Sequence, residues 1–144
     1  MRPPEDTLLQ TVVVTMITRR AGSAADATAV AAAARRAYDD LAAAFVPLIS
    51  QAGVDALVAR AFHLAAREYP SDHAGEEQAA EPFGRVSVWL ERQDRTAAID
   101  AAAAMFATFA TLLAAFIGEP LTTRYLRKAW PDDFFGTSAQ GKQA

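Results

Sequence analysis

Apolar residues recur at three- and four-residue spacing along most of this chain, the period of a helix with one buried face. In residues 7–19, Leu8, Leu9, Val12, Val13, Met16 and Ile17 fall on one side and Thr7, Thr11, Thr15 and Thr18 on the other. That fits a helix, although the Val-Val-Val-Thr-Met-Ile run also has strand propensity. A strand here would need a partner molecule, because the chain offers no second one. After Gly22, Ser23 and Asp26 have the spacing of a capping box and predict a helix from residue 24 through the forties. Its apolar stripe is Val30, Ala34, Ala37, Tyr38, Leu41, Ala44, Phe45 and Leu48. Opposite lie Arg35 and Arg36, each four residues before an aspartate, Asp39 and Asp40. Pro47 predicts a kink there, or a restart as a short turn ending at Gly53.

A third helix is expected over residues 54–69, ending before Pro70. Val54, Leu57, Val58, Ala61, Phe62, Leu64, Ala65 and Tyr69 fill one side, and His63 centres the other between Arg60 and Arg67. Residues 70–81 are polar and predict a mobile linker. A short helix follows over residues 83–92, with Val86, Trp89 and Leu90 apolar. The central helix spans about 94–117 and carries no charge over residues 101–117. Met105, Phe106, Phe109, Leu112, Leu113, Phe116 and Ile117 give it a broad apolar face, opposite the small residues Ala103, Ala107, Ala110 and Ala114. The run is short and alanine-rich for a membrane span, so it reads as the centre of a bundle. Pro120 suits the first turn of a last helix, residues 121–130, whose exposed side holds Thr123, Arg124, Arg127 and Lys128.

These elements predict an all-α, single-domain bundle of five or six helices around the central one. Residues 1–6 form a flexible start, residues 7–130 the domain, and residues 131–144 a disordered tail. Length supports this, since 144 residues can bury a core without disulfides or metals. Abundant alanine favours helix as well.

Composition then removes classes of chemistry. With no cysteine there is no thiol nucleophile, disulfide, thiolate zinc site or iron–sulfur cluster. Two histidines leave little for a metal, and neither lies on an apolar face that could form a haem pocket. A net charge of −3 argues against nucleic-acid binding. The start, Met-Arg-Pro-Pro-Glu-Asp, is not a secretory signal, so the expected compartment is the cytoplasm. Phosphate loops, dinucleotide fingerprints, nucleophile elbows and paired catalytic carboxylates are missing from the sequence, so no enzyme activity and no cofactor are expected.

Three features could still carry function. His63 on a polar helix face, with Arg67 one turn on, has some of what histidine phosphotransfer needs, namely an accessible imidazole and a cation for the phosphate. Ala66 stands where those domains place a lysine, and no glycine follows. Arg60, His63 and Arg67, with Arg124 and Glu119 on the last helix, form a second candidate, a surface for an anion or a partner. Glu119 is also placed to cap the last helix. Third, Phe45, Phe62, Trp89, Phe106, Phe109 and Phe116 could line an apolar pocket between helices.

Two stretches carry a family resemblance. One runs Val46-Pro47-Leu48-Ile49, Gly53, residues 56–60, then His63-Leu64-Ala65 before Tyr69-Pro70. The other runs Leu112-Leu113, residues 116–119, Leu121-Thr122, and residues 124–130. They resemble an uncharacterised family of short helical bacterial proteins. The resemblance implies a shared helical fold and a bacterial origin, and supplies no activity, cofactor or catalytic residue. Pro120 stands inside the second stretch where a helix-compatible residue is expected, leaving the continuity of the last two helices open.

The reading that follows is a non-enzymatic protein-interaction or regulatory module, in bacterial signalling, working as a homodimer through the small-residue face of the central helix. A binder of a small apolar ligand is the alternative, and phosphotransfer through His63 ranks third.

Overall fold

A computed structural model describes residues 4–22, 26–69 and 82–131. Among them are five helices and no strand: α1 Pro4–Ala21, α2 Ala27–Glu68, α3 Pro82–Glu91, α4 Arg95–Ile117 and α5 Glu119–Ala129. The chain is an all-α helical bundle. The expected linker at 70–81 and tail after Pro131 lie outside the described residues.

Helix wins over strand in α1 because one face meets apolar helix surface. Val13, Met16 and Ile17 are fully buried, and Thr11, Thr15 and Arg19 face outward. The cap of α2 is Asp26 itself, whose carboxylate accepts the Ala29 N–H at 3.0 Å. The expected box led by Ser23 is therefore displaced, and Ser23 lies outside the described residues. Of the two expected Arg–Asp pairs on α2, Arg35–Asp39 forms at 3.3 Å. Asp40 instead meets Arg20 of α1 at 3.1 Å, and Arg36 donates to the Arg20 carbonyl at 3.3 Å. A local pair was replaced by a tie between helices, because α1 brings a second guanidinium within reach.

The 42 residues of α2 do not form one rod. At 1.5 Å per residue a straight helix of that length spans roughly 60 Å. Yet Gln93 donates to the Tyr69 carbonyl at its C-terminal end and lines a depression with Asp26, Ala27 and Thr28 at its start. Phe83 of α3 stacks on Tyr38 at 4.6 Å, and Trp89, six residues on, meets Phe62 at 5.3 Å. Both ends can reach one short helix only if α2 turns back on itself.

The turn is at Ser50, with φ 76° and ψ 163°, and not at Pro47, which stays within helical backbone. Its hydroxyl accepts the Gly53 N–H at 3.1 Å, so Ser50 caps a new limb, residues 51–68. Gly53 fits this corner because a Cβ would stand 3.3 Å from both Cβ and Cγ1 of Ile49. The left-handed φ at a serine costs on the order of 1–3 kcal/mol. Ser50→Gly relieves that strain and weakens the cap by only a few tenths of a kcal/mol. Ser50→Ala keeps the strain and loses the cap, about 1 kcal/mol. Urea unfolding should rank the glycine variant at or above the native protein and the alanine variant below it; the reverse order would refute this account of the corner.

α4 is the axis. Asp94 caps it by accepting the Ala97 N–H at 2.8 Å. Residues 101–106 are all buried, so the helix is covered on every side over that stretch. Of the small face expected to pair with a second copy, Ala103 is fully buried and Ala110 is 5% exposed, while Ala107 and Ala114 are half-buried. By length and composition α2 and α4 could each cross a membrane. In the bundle, more than half of α4's most apolar window is packed inside, and α2 is broken at Ser50.

α4 and α5 are separate helices. Gly118, at φ 94° and ψ 151°, makes the break, donating its N–H to the Ala114 carbonyl at 2.8 Å. The Pro120 ring could not follow in an unbroken helix without striking the carbonyl four residues back. After the break it sits in the first turn, where a proline fits. Thr122, Leu126 and Ala129 bury one side of α5, and Trp130 donates from Nε1 to the Ala37 carbonyl at 3.0 Å.

Candidate functional site

The aromatic residues expected to line a pocket are five parts core and one part surface. Phe45 meets Phe109 edge-on at 6.5 Å and Tyr125 at 5.6 Å. Phe62 meets Trp89, while Phe106 stands between Phe83 at 6.3 Å and Trp130 at 5.6 Å. These are ring-on-ring contacts of a packed interior. Phe116 does not join them. It is 66% exposed, on the side of α4 that it shares with exposed Thr111 and Ala115, while Phe109 and Leu113 on the other side stay buried. Leu48, expected in the buried stripe of α2, is 37% exposed, two residues before the corner at Ser50.

The cationic candidates fall in two places. Arg60, His63 and Arg67 are exposed on the second limb of α2, as their wheel positions predict. Among the described residues no hydrogen bond or ion pair holds His63 against either arginine. Half-buried Asp55 and exposed Glu68 make this a face of mixed sign. Arg124 and Glu119 are exposed on α5, which packs its Tyr125 and Trp130 against the first limb. No described contact joins the two groups. Glu119 occupies the first turn of α5, where a carboxylate favours the helix dipole, but the capping position belongs to Gly118 and no side chain bonds there.

The structure also extends a face that the sequence marked on the last helix. Pro120, Thr123, Arg124, Arg127, Lys128 and Pro131 line a shallow depression along α5. Their spacing is that of one helix face, of which the sequence already placed Thr123, Arg124, Arg127 and Lys128 on the exposed side of the last helix; Pro120 and Pro131 complete it. On α4, Thr108, Thr111, Leu112, Ala115 and Phe116 form a second stripe with the same spacing, exposed or half-buried and without charge. The Thr111 hydroxyl donates to the Ala107 carbonyl at 3.0 Å, so this stripe is less polar than its composition suggests.

A third depression is lined by Gln10, Thr11, Val14, Thr15, Tyr69 and Asp100. Burial, with Asp100 and Glu68 nearby, pushes the Tyr69 phenol above its usual value of 10.0. Tyr69 is therefore a neutral hydrogen-bonding group at ordinary pH. Among the described residues no three histidine, aspartate or glutamate side chains gather as metal ligands. No family model matches the chain, and neither a curated protein nor a solved structure matches it.

Proposed function

We propose that this chain is a non-enzymatic interaction module of a regulatory kind, and that it works as a homodimer through the exposed stripe of α4. The observation that carries the reading is Phe116, a large aromatic ring left 66% exposed on an uncharged helix face. Thr108, Thr111, Leu112 and Ala115 continue that face, with no charge between Asp100 and Glu119. A twofold contact places the same patch on both copies, so a patch without charge meets itself without repulsion. Small Thr111 and Ala115 beside the ring leave room for the partner's Phe116. Leu48 adds apolar surface near the same end of the bundle, because its neighbour Phe45 already packs on α4 through Phe109.

The stripe is short, well under the roughly 800 Å² per partner of a standard interface, so the dimer should be weak. Sedimentation velocity over a wide concentration range should give a reversible monomer–dimer equilibrium. Phe116→Ser should weaken it by about tenfold or more, as expected for a central aromatic anchor. A native chain that stays monomeric throughout, or a variant that dimerises as the native chain does, would sink the proposal.

A further inference from the structure

Resting on the reading of the chain as an interaction module, we infer that the exposed stripe of α5 docks an acidic segment of a partner protein, carboxylates against Arg124, Arg127 and Lys128. The three cations share one face with Pro120, Thr123 and Pro131, and all six residues are exposed. Among the described residues, no carboxylate pairs with any of them. Lys128 instead lies 5.7 Å over the Tyr125 ring. Four other cations of the bundle are engaged: Arg20 with Asp40, Arg35 with Asp39, and Arg36 and Arg95 with backbone carbonyls.

The helix dipole explains cations in the last turn of α5, where Arg127 and Lys128 stand. It does not explain Arg124 a turn earlier on the same face. The acidic residues nearest in the chain are Glu119, one turn before Thr123, and Asp132 and Asp133 just after Pro131, and no described carboxylate pairs with the three cations. The net charge of −3 includes +3 from this stripe, so the rest of the chain carries −6. An acidic partner is therefore attracted here and repelled elsewhere, which sets both site and orientation. Two of the three cations are arginines, whose planar fork suits carboxylates. The stripe is also held rigidly, since the opposite face of α5 is buried and Trp130 is bonded to Ala37. A fixed scaffold loses little freedom on binding.

Anionic membrane is the less fitting occupant. The apolar residues of the stripe are the two compact prolines Pro120 and Pro131, with no long aliphatic or aromatic side chain to insert, and the remaining −6 would be repelled by the same surface. Asp132 and Asp133 follow the stripe directly in the chain and are the natural competitor for it.

The test is amide NMR with a synthetic peptide bearing glutamates at three- and four-residue spacing, and its glutamine counterpart. The glutamate peptide should shift resonances confined to residues 119–131, and the glutamine peptide should not. Binding should fall about tenfold or more in an Arg124→Ala/Arg127→Ala variant, and again as salt rises from about 50 to about 300 mM. An Arg60→Ala/Arg67→Ala variant should bind as the native chain does. Shifts centred on the second limb of α2, or none anywhere, overturn the proposal. So does binding to phosphatidylserine vesicles without binding to the peptide. If Asp132→Asn/Asp133→Asn alone moves the α5 resonances and the native chain ignores the peptide, the chain's own acidic residues are the occupant and the proposal falls. Sedimentation of the native chain alongside the titration separates the two readings: peptide binding by a chain that stays monomeric overturns only the dimer, and a dimer that ignores the peptide overturns only the docking at α5.

Discussion

Replacing Trp130 with alanine is expected to lower the stability of the bundle by about 3–5 kcal/mol, among the largest effects of any single substitution. Trp130 is 1% exposed although it ends the last described helix. Its ring meets Phe106 of α4 at 5.6 Å edge-on, and its Nε1–H reaches the Ala37 carbonyl of α2 at 3.0 Å. One side chain thus fastens α5 to two other helices. Truncation opens a cavity that backbone on three helices cannot readily close. Trp130→Phe separates the two contributions, since it keeps most of the ring and removes the donor. The Ala37 carbonyl lies within a helix and keeps its main-chain partner, so the lost bond should cost only about 1 kcal/mol. Urea unfolding followed by circular dichroism measures both. A loss under about 1 kcal/mol for the alanine variant would mean that α5 is not docked as described.

Trp89→Ala should cost a similar amount, about 3–5 kcal/mol, with a different pattern of loosening. Trp89 is fully buried, meets Phe62 at 5.3 Å, and donates from Nε1 to the Tyr69 carbonyl at 2.7 Å. Tyr69 ends the limb of α2 that returns from the corner at Ser50. Trp89 therefore holds the returning limb against α3. Without it, only the longer bond from Gln93, at 3.3 Å, remains on that carbonyl. Hydrogen exchange should show protection lost first over residues 51–68 and 83–91, while α4 stays protected. Uniform loss across all five helices would show that the limb and α3 do not form a separately loosened unit.

Much of the fold was legible in the residues themselves. Val30, Ala34, Ala37, Tyr38, Leu41, Ala44 and Phe45 mark one helix face by spacing alone, and all are buried. Pro120 marks the first turn of a last helix by its position, and that is where it stands. His63 between Arg60 and Arg67 reads as solvent-facing, as it is. Each of these is decided within a turn or two of chain, where propensity, capping and period act.

What the tertiary structure alone decided is which surface covers which. Spacing marks Ala103 and Ala110 as one face, but whether that face meets the same chain or another depends on helices far away in sequence. Leu48 and Phe116 carry the same pattern as their buried neighbours, yet Leu48 lies two residues before the corner of α2 and Phe116 on the exposed side of α4. The corner settled on Ser50 because its hydroxyl can cap the next limb there, while Pro47 fits within the preceding helix. Asp40 found Arg20 across a helix boundary that no local rule contains. Helix period encodes that a face will be buried; it carries no information about the partner, because dispersion and water exclusion are nondirectional and reward any apolar surface that arrives.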